Sequence, residues 1–132
     1  LRQRVEKLLP EHQNSMLWEL AQKNDGHFDN RFIHHGLIAN DPFAQGILDW
    51  FVDYLSIGIA NILQILNPEV VILGGGVANL GDYLIKPLRE AVLPRLLSPA
   101  QLCDFQQAKL GPKAGMYGAA IMAKAHWDSL RS

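Results

Sequence analysis

The chain has 132 residues, of which 48% are hydrophobic and 19% charged, and its formal net charge is −1. This composition fits the core of one compact domain, and the scattered basic residues exclude the positive stripe with which proteins bind nucleic acid or anionic lipid. The single cysteine, Cys103, excludes an internal disulfide and favours a reducing cytoplasm.

The first forty residues are predicted to form three short helices, over residues 1–9, 15–23 and 30–38, because apolar side chains recur at helical spacing in each. Pro10 ends the first helix, and the Asn24-Asp25-Gly26 turn ends the second. This part of the chain is more polar than the rest, so we expect a helical segment that leads into the main subdomain.

A long apolar helix is predicted next, with Asp41 as its N-cap and Pro42 at its first position. Apolar side chains surround it so completely that we expect burial on most sides. Gly58 lies inside this helix, where glycine costs about 1 kcal/mol relative to alanine, so a close contact is expected to compensate. The uncharged stretch from Tyr54 to just before Glu69 is shorter than the roughly twenty apolar residues of a membrane span, so no membrane is expected.

The next segment reads Leu-Asn-Pro-Glu-Val-Val-Ile-Leu-Gly-Gly-Gly-Val, from Leu66 to Val77. Asn67-Pro68 ends the long helix, and Val70 to Leu73 is an apolar run of strand length. The three glycines that follow would let a ligand lie against the main chain. A tight turn without a ligand explains the pattern equally well, because a glycine run outside the full dinucleotide or Walker pattern is weak evidence.

A further helix is predicted over residues 83–97, bent or restarted at Pro87, and a second strand over residues 102–110. The closing helix runs from Ala114 to about Trp127, and its small side chains favour tight packing: Gly115, Gly118, Ala119, Ala120 and Ala123. Each strand thus leads through a glycine-bearing turn to a helix N-terminus, which attracts phosphate and ribose oxygens. If the two strands belong to one open α/β sheet, both turns would meet at the carboxyl ends of the strands, where ligands bind in such sheets.

This chain resembles the C-terminal half of proteins of the ROK family, which contains bacterial sugar kinases and sugar-responsive repressors. The resemblance rests on three segments in this order: the long helix from Asp41, the glycine segment, and the segment from Leu110 to Ala123. The resemblance covers roughly residues 36 to 125. It implies a helix-rich α/β fold, the C-terminal nucleotide-side portion of an actin-like (ribonuclease H-like) ATPase fold. It also divides the chain into a helical segment, residues 1–40, and a nucleotide-side α/β subdomain, residues 41–132.

By this resemblance the chain is part of an ATP-dependent sugar kinase, which transfers a phosphoryl group from MgATP to a hexose hydroxyl. The residues beside the nucleotide would be Gly74, Gly75, Gly76, Val77 and Gly115. The family's phosphate loop, catalytic aspartate and zinc motif have no counterpart in this sequence and would lie upstream. We therefore assign no catalytic or metal-binding residue and expect the isolated chain to be inactive. The expected partners are a nucleotide, a small sugar and further copies in a cytoplasmic homo-oligomer, without nucleic acid.

One position departs from the kinase pattern. Pro112 and Lys113 stand where the kinases commonly have an acidic residue before Ala-Gly. Lys113 could meet a phosphate as a point charge, but a solvated surface position is favoured. The adjacent His34 and His35 point to different sides of a helix, which argues against a metal site.

Two alternatives remain open. The first is the sugar-sensing domain of a ROK-type repressor, which phosphorylates nothing; the two intact glycine turns favour the kinase. The second is an assembly module, in which the helix over residues 41–66 and the segments around Trp18, Trp50 and Trp127 build a subunit interface.

Overall fold

The computed structural model describes residues 1–130. Its helices and strands are α1 (Arg2–Leu8), α2 (Met16–Gln22), α3 (Arg31–Ile38), α4 (Pro42–Leu66), β1 (Val70–Leu73), α5 (Asp82–Val92), β2 (Asp104–Gln107) and α6 (Ala114–Ser129). The helix expected over residues 83–97 thus ends at Val92 after running through Pro87, and the second strand is shorter than expected. Residues 131 and 132, the end of the expected C-terminal subdomain, lie outside the described residues. The architecture confirms a helix-rich α/β chain.

The long helix α4 begins where the sequence predicts, because Asp41 caps it. Asp41 Oδ1 accepts a hydrogen bond from the backbone N–H of Ala44 at 2.9 Å. Pro42 occupies the first helical position, where a missing N–H costs nothing. At the other end Asn67 adopts the left-handed conformation, with φ of 44°, and its N–H donates to the carbonyl of Leu63.

The hydrophobic core lies where α3 and α5 pack on α4. Gly36 lets α3 come close to its neighbours: a Cβ at this position would lie 2.4 Å from Leu17 Cδ1 and 2.7 Å from Ala44 Cβ. Gly58 has no such neighbour, because a Cβ there would meet nothing within 4 Å. The expectation of a close contact that compensates for this glycine is therefore wrong for the described residues. The hydrophobic core is shared between the two predicted parts of the chain, residues 1–40 and 41–132, because Leu17 and Ile47 belong to one cluster of buried residues. The division into these two parts stays a prediction.

Only one face of α4 is buried, which corrects the expectation of burial on most sides. Ile47, Leu48 and Leu63 are at most 3% exposed, whereas Ile62 is 49% and Ile65 78% exposed. α4 is long and apolar enough to cross a bilayer, but this is weak evidence because core helices of soluble proteins meet the same criteria. The second half of α4 therefore presents an apolar surface that residues 1–130 leave uncovered.

The two strands form a parallel pair in which Val70 lies opposite Asp104 and Leu73 opposite Gln107. α5 packs on β2, and Phe105 of β2 is buried. Ile72, on the other face of β1, is 63% exposed. Parallel sheets are normally covered on both faces, so this small sheet has one open face in the part of the chain that the structure describes.

α6 follows the second glycine-bearing turn and is exposed along its whole length. A Cβ built at Gly115 or Gly118 would meet nothing within 4 Å. The tight packing predicted for the small face of this helix is therefore not found among residues 1–130. Small side chains on a helix permit another element to pack closely against it, which is why the sequence predicts packing. They do not determine whether such an element is present.

Candidate functional site

The glycine run starts at the carboxyl end of β1, beside the carboxyl end of β2. The N–H of Ala108 donates to the carbonyl of Leu73 at 2.8 Å, and a Cβ at Gly74 would lie 3.7 Å from the Cβ of Ala108. The structure thus brings the first residues after the two strands, Gly74 and Ala108, together; neither Gly111 nor Gly115 lines the cavities beside the glycine run, so the meeting of both turns at one site stays a prediction.

Gly75 holds the loop in a conformation that other residues rarely adopt. Its φ is 78° and its ψ is −174°, a region that is essentially restricted to glycine. The carbonyl of Gly75 accepts a hydrogen bond from the N–H of Ala78 at 3.2 Å, which opens a short 3₁₀ turn, Gly76–Leu80. Val77 is half-buried and packs against the core, so it anchors the turn. The backbone of Gly76 is left bare, since a Cβ there would meet nothing within 4 Å.

A cleft separates this 3₁₀ turn from the N-terminal turn of α3. It consists of two adjoining cavities of about 150 and 330 Å³. Four residues line both cavities: Asn30, Arg31, Gly76 and Asn79. We call this space the glycine cleft. The wall formed by the 3₁₀ turn combines the bare backbone of Gly76 with Asn79, and the α3 wall carries Asn30 and Arg31, an arrangement that suits a polar ligand of modest size.

Ion pairs hold the charged side chains at the rim of the glycine cleft. Arg31 Nη2 lies 2.7 Å from Asp29 Oδ2, and the backbone N–H of Arg31 donates to Asp29 Oδ1 at 2.8 Å. These hydrogen bonds from Arg31 lower the pKa of Asp29, and the one to the side chain raises the pKa of Arg31. Arg2, which lines the larger cavity, pairs with Glu6 at 2.8 Å. Both arginines are exposed, so solvent screens these pairs and they add little stability.

Asn30 is the N-cap residue of α3, but its side chain does not cap the helix. Its Oδ1 atom is buried and has no hydrogen-bond partner. Across the cleft Asn79 is exposed. Sequence reasoning missed Asn30, Arg31 and Asn79 as site residues. A polar residue shortly after the glycine run was the available signal for Asn79, whereas nothing local marked the other two.

The second glycine-bearing turn is formed by Gly111, whose φ is 52°, and leads into α6. Lys113 is exposed, in agreement with the solvated position that the sequence favoured. Gly115 lies in the first turn of α6 and is also exposed. Four of the five predicted site residues form one continuous loop, residues 74–77, and the fifth is Gly115. The role of all five in nucleotide binding stays a prediction.

Metal binding finds no support in the described chain. The rings of His34 and His35 are 6.4 Å apart between centroids, and His34 meets the ring of Tyr83 edge-on at 5.7 Å. No group of three His, Cys, Asp or Glu side chains among the described residues could hold a metal ion.

A second concave region lies between α1 and the first half of α4. Arg4 stacks over the ring of Trp50 at 4.3 Å, and His12 stacks on Phe43 at 4.1 Å. These residues line an apolar groove of about 310 Å³ between α1 and α4. Among residues 1–130 no glycine-bearing turn lines this groove, so the glycine cleft remains the better candidate for a nucleotide.

Comparison with known proteins gives this geometry a family context. The family model described as "ROK family" matches residues 12–126. A glucokinase from Halalkalibacterium halodurans is 34% identical over 124 residues, which cover 91% of this chain and 36% of that protein. An N-acetyl-D-glucosamine kinase from Pasteurella multocida is 37% identical over 84 residues, covering 64% of this chain and 27% of that protein.

Among solved structures, a ROK family glucokinase from Streptomyces griseus in complex with glucose and AMPPNP superimposes with a TM-score of 0.74 at 26% identity. The match covers 92% of this chain and 39% of that one. The chain spans about a third of the length of the curated relatives it matches.

Proposed function

The chain belongs to the ROK family, and we propose that it forms the adenosine side of the nucleotide site in an ATP-dependent sugar kinase. The curated relatives described above are a glucokinase and an N-acetyl-D-glucosamine kinase, and both names support a carbohydrate kinase. Nothing in these relatives favours the repressor alternative.

The observation that carries the proposal is the bare backbone of Gly75 and Gly76 beside the glycine cleft. Position 75 requires glycine because its backbone has a positive φ of 78°. Position 76 has no such requirement, and a side chain there would enter open space. A surface position that could hold a side chain without a clash, yet has none, suits close approach of a ligand. AMPPNP, the ligand of the Streptomyces griseus glucokinase, is an analogue of ATP and supports a nucleotide as that ligand.

In phosphoryl transfer to a sugar, the hydroxyl attacks the γ-phosphate while a base takes its proton. Catalysis depends mostly on positioning and charge neutralisation. We assign the base to an aspartate of the protein outside this chain. The residues of this chain hold the adenosine and the diphosphate, mainly through the backbone of Gly74, Gly75 and Gly76, with Val77 as the anchor and Gly115 at the second turn.

Among the described residues no group of three or more carboxylate, imidazole or thiolate ligands could hold a metal ion by itself. We therefore assign no residue of this chain to Mg²⁺ or zinc. ATP normally carries Mg²⁺ on its phosphates, so the ion would enter the site with the nucleotide. We also propose a cytoplasmic location and a homo-oligomer, in which the open apolar faces of α4 and β1 become buried.

The test is ATP binding by the protein that carries this chain and by its Gly76→Val variant, measured by titration calorimetry. Gly76 lines both cavities of the glycine cleft, and the Cβ of a valine there would meet no protein atom within 4 Å. We expect an unchanged midpoint of thermal unfolding and an ATP dissociation constant at least about tenfold higher. The matched control is Gly58→Val, at another open glycine far from the cleft in sequence, which should bind ATP as the wild type does. Equal ATP affinity in Gly76→Val and the wild type would rule out this site.

A further inference from the structure

The side chain of Asn30 has no structural task that explains its position. The capping bond at the start of α3 comes from Asp29, whose Oδ1 accepts from the N–H of Arg31 at 2.8 Å. Asn30 makes no side-chain capping bond, and its Oδ1 is buried without a partner. Native proteins leave few buried acceptors unpaired, and such an atom calls for an explanation. A bound ligand that supplies the missing donor is one.

The place of Asn30 points to the part of a ligand it would meet. Asn30 lines both cavities of the glycine cleft, opposite Gly76 and Asn79. In the proposed site the glycine loop contacts the adenosine end of the nucleotide, so the space between the loop and α3 is the space for the base. Oδ1 is buried in the free protein, so contact with a ligand in the cleft requires the Asn30 amide to turn about its last torsion, which costs little in asparagine.

We propose that Asn30 reads the base of the bound nucleotide and selects adenine. This inference rests on the proposed nucleotide site. An asparagine amide matches adenine with two hydrogen bonds: Oδ1 accepts from the N6 amine, and Nδ2 donates to N7. Guanine presents acceptors at both O6 and N7, so the same amide orientation would set Oδ1 against O6. The unpaired Oδ1 of the free protein is the atom that the adenine amine satisfies.

The variant that tests this is Asn30→Leu, which keeps a similar shape and removes both polar atoms. Because Oδ1 has no partner in the free protein, the thermal midpoint without ligand should stay the same or rise. ATP should bind roughly tenfold more weakly, as expected for loss of a two-bond contact to a base. GTP affinity should change little, so the preference for ATP over GTP should fall. Asn61→Leu, at an exposed asparagine of α4, is the matched control.

A second measurement changes the ligand and leaves the protein intact. In 7-deaza-ATP a carbon replaces N7, which removes the acceptor for Nδ2. We expect the wild type to bind 7-deaza-ATP more weakly than ATP and Asn30→Leu to bind both alike. An unchanged ATP-to-GTP preference in Asn30→Leu, or equal binding of ATP and 7-deaza-ATP by the wild type, would overturn the inference and leave the proposed function intact. Absence of ATP binding by the wild type would instead overturn both.

Discussion

The hydroxyl of Ser15 donates a hydrogen bond to Asp41 Oδ1 at 3.2 Å, and this pair joins the first turns of α2 and α4. Asp41 Oδ2 also accepts from the N–H of Met16 at 2.6 Å, while Oδ1 caps α4 through Ala44. One buried carboxylate thus satisfies donors at the start of two helices. The charge of the carboxylate also suits both helix N-termini.

Asp41→Ala should therefore destabilise the protein more than the loss of a single cap does. A helix cap contributes about 1 kcal/mol, and hydrogen bonds to a charged group about 1.5–3 kcal/mol. We expect the free energy of unfolding to fall by about 3 kcal/mol in a urea titration. Asp49→Ala is the control, because Asp49 is exposed and accepts from the side chain of Gln45 on the same helix. A loss at Asp41 no larger than at Asp49 would contradict the shared-cap interpretation.

Gly36 and Gly58 should respond in opposite directions to the same substitution. At Gly36 a Cβ would lie 2.7 Å from Ala44 Cβ, so Gly36→Ala forces α3 and α4 apart. Overpacking of this kind costs about 1–3 kcal/mol. At Gly58 the space is open, and alanine should stabilise α4 by up to about 1 kcal/mol. Chemical denaturation of both variants measures the contrast, and stabilisation by Gly36→Ala would show that the helices can separate freely.

These helices also show how far sequence reasoning reached. The start of α4 at Asp41 and its end at Asn67 were predictable, because helix caps are local chemistry between residues a few positions apart. The close contact at Gly36 was not, since it depends on where α2 and α4 lie in space. The expectation at Gly58 was wrong for the same reason: a glycine inside a helix indicates that a contact is possible, not where it is.

The site divides in a similar way. The loop from Gly74 to Gly76 was predictable because a strand followed by glycines is a local pattern. Asn30 and Asn79 come from segments far apart in sequence, and only packing of α3 beside the 3₁₀ turn brings them to one cleft. No periodicity along the chain could reveal that pairing.

Alanine substitutions at Gly75 and Gly76 should have different effects on stability, because only Gly75 has a backbone conformation that requires glycine. Gly75 has φ of 78° and ψ of −174°, so Gly75→Ala introduces backbone strain of about 1–3 kcal/mol. Gly76 lacks a positive φ and has open space, so Gly76→Ala should change stability by less than about 0.5 kcal/mol. Urea denaturation without nucleotide measures both effects. Equal stability of the two variants would mean that the loop relaxes around alanine at Gly75.

The isolated chain should transfer no phosphoryl group from MgATP to glucose or N-acetyl-D-glucosamine. In the proposed site this chain contributes only to nucleotide binding, and the base that takes the proton from the sugar hydroxyl is assigned to an aspartate outside it. The chain also exposes apolar side chains on α4, β1 and α6, such as Ile65, Ile72 and Ile121. Exposed apolar surface of this extent favours association, so we expect the chain alone to elute from a sizing column above its monomer mass of 14.7 kDa.

A coupled assay for ADP, with the chain at several concentrations and each sugar in turn, measures this prediction. The control omits the sugar and reports hydrolysis alone. Sugar-dependent ADP formation by the 132 residues would show that a catalytic base lies within them. Asp82, an exposed acidic residue at the start of α5 and shortly after the glycine loop, would then be the first to replace.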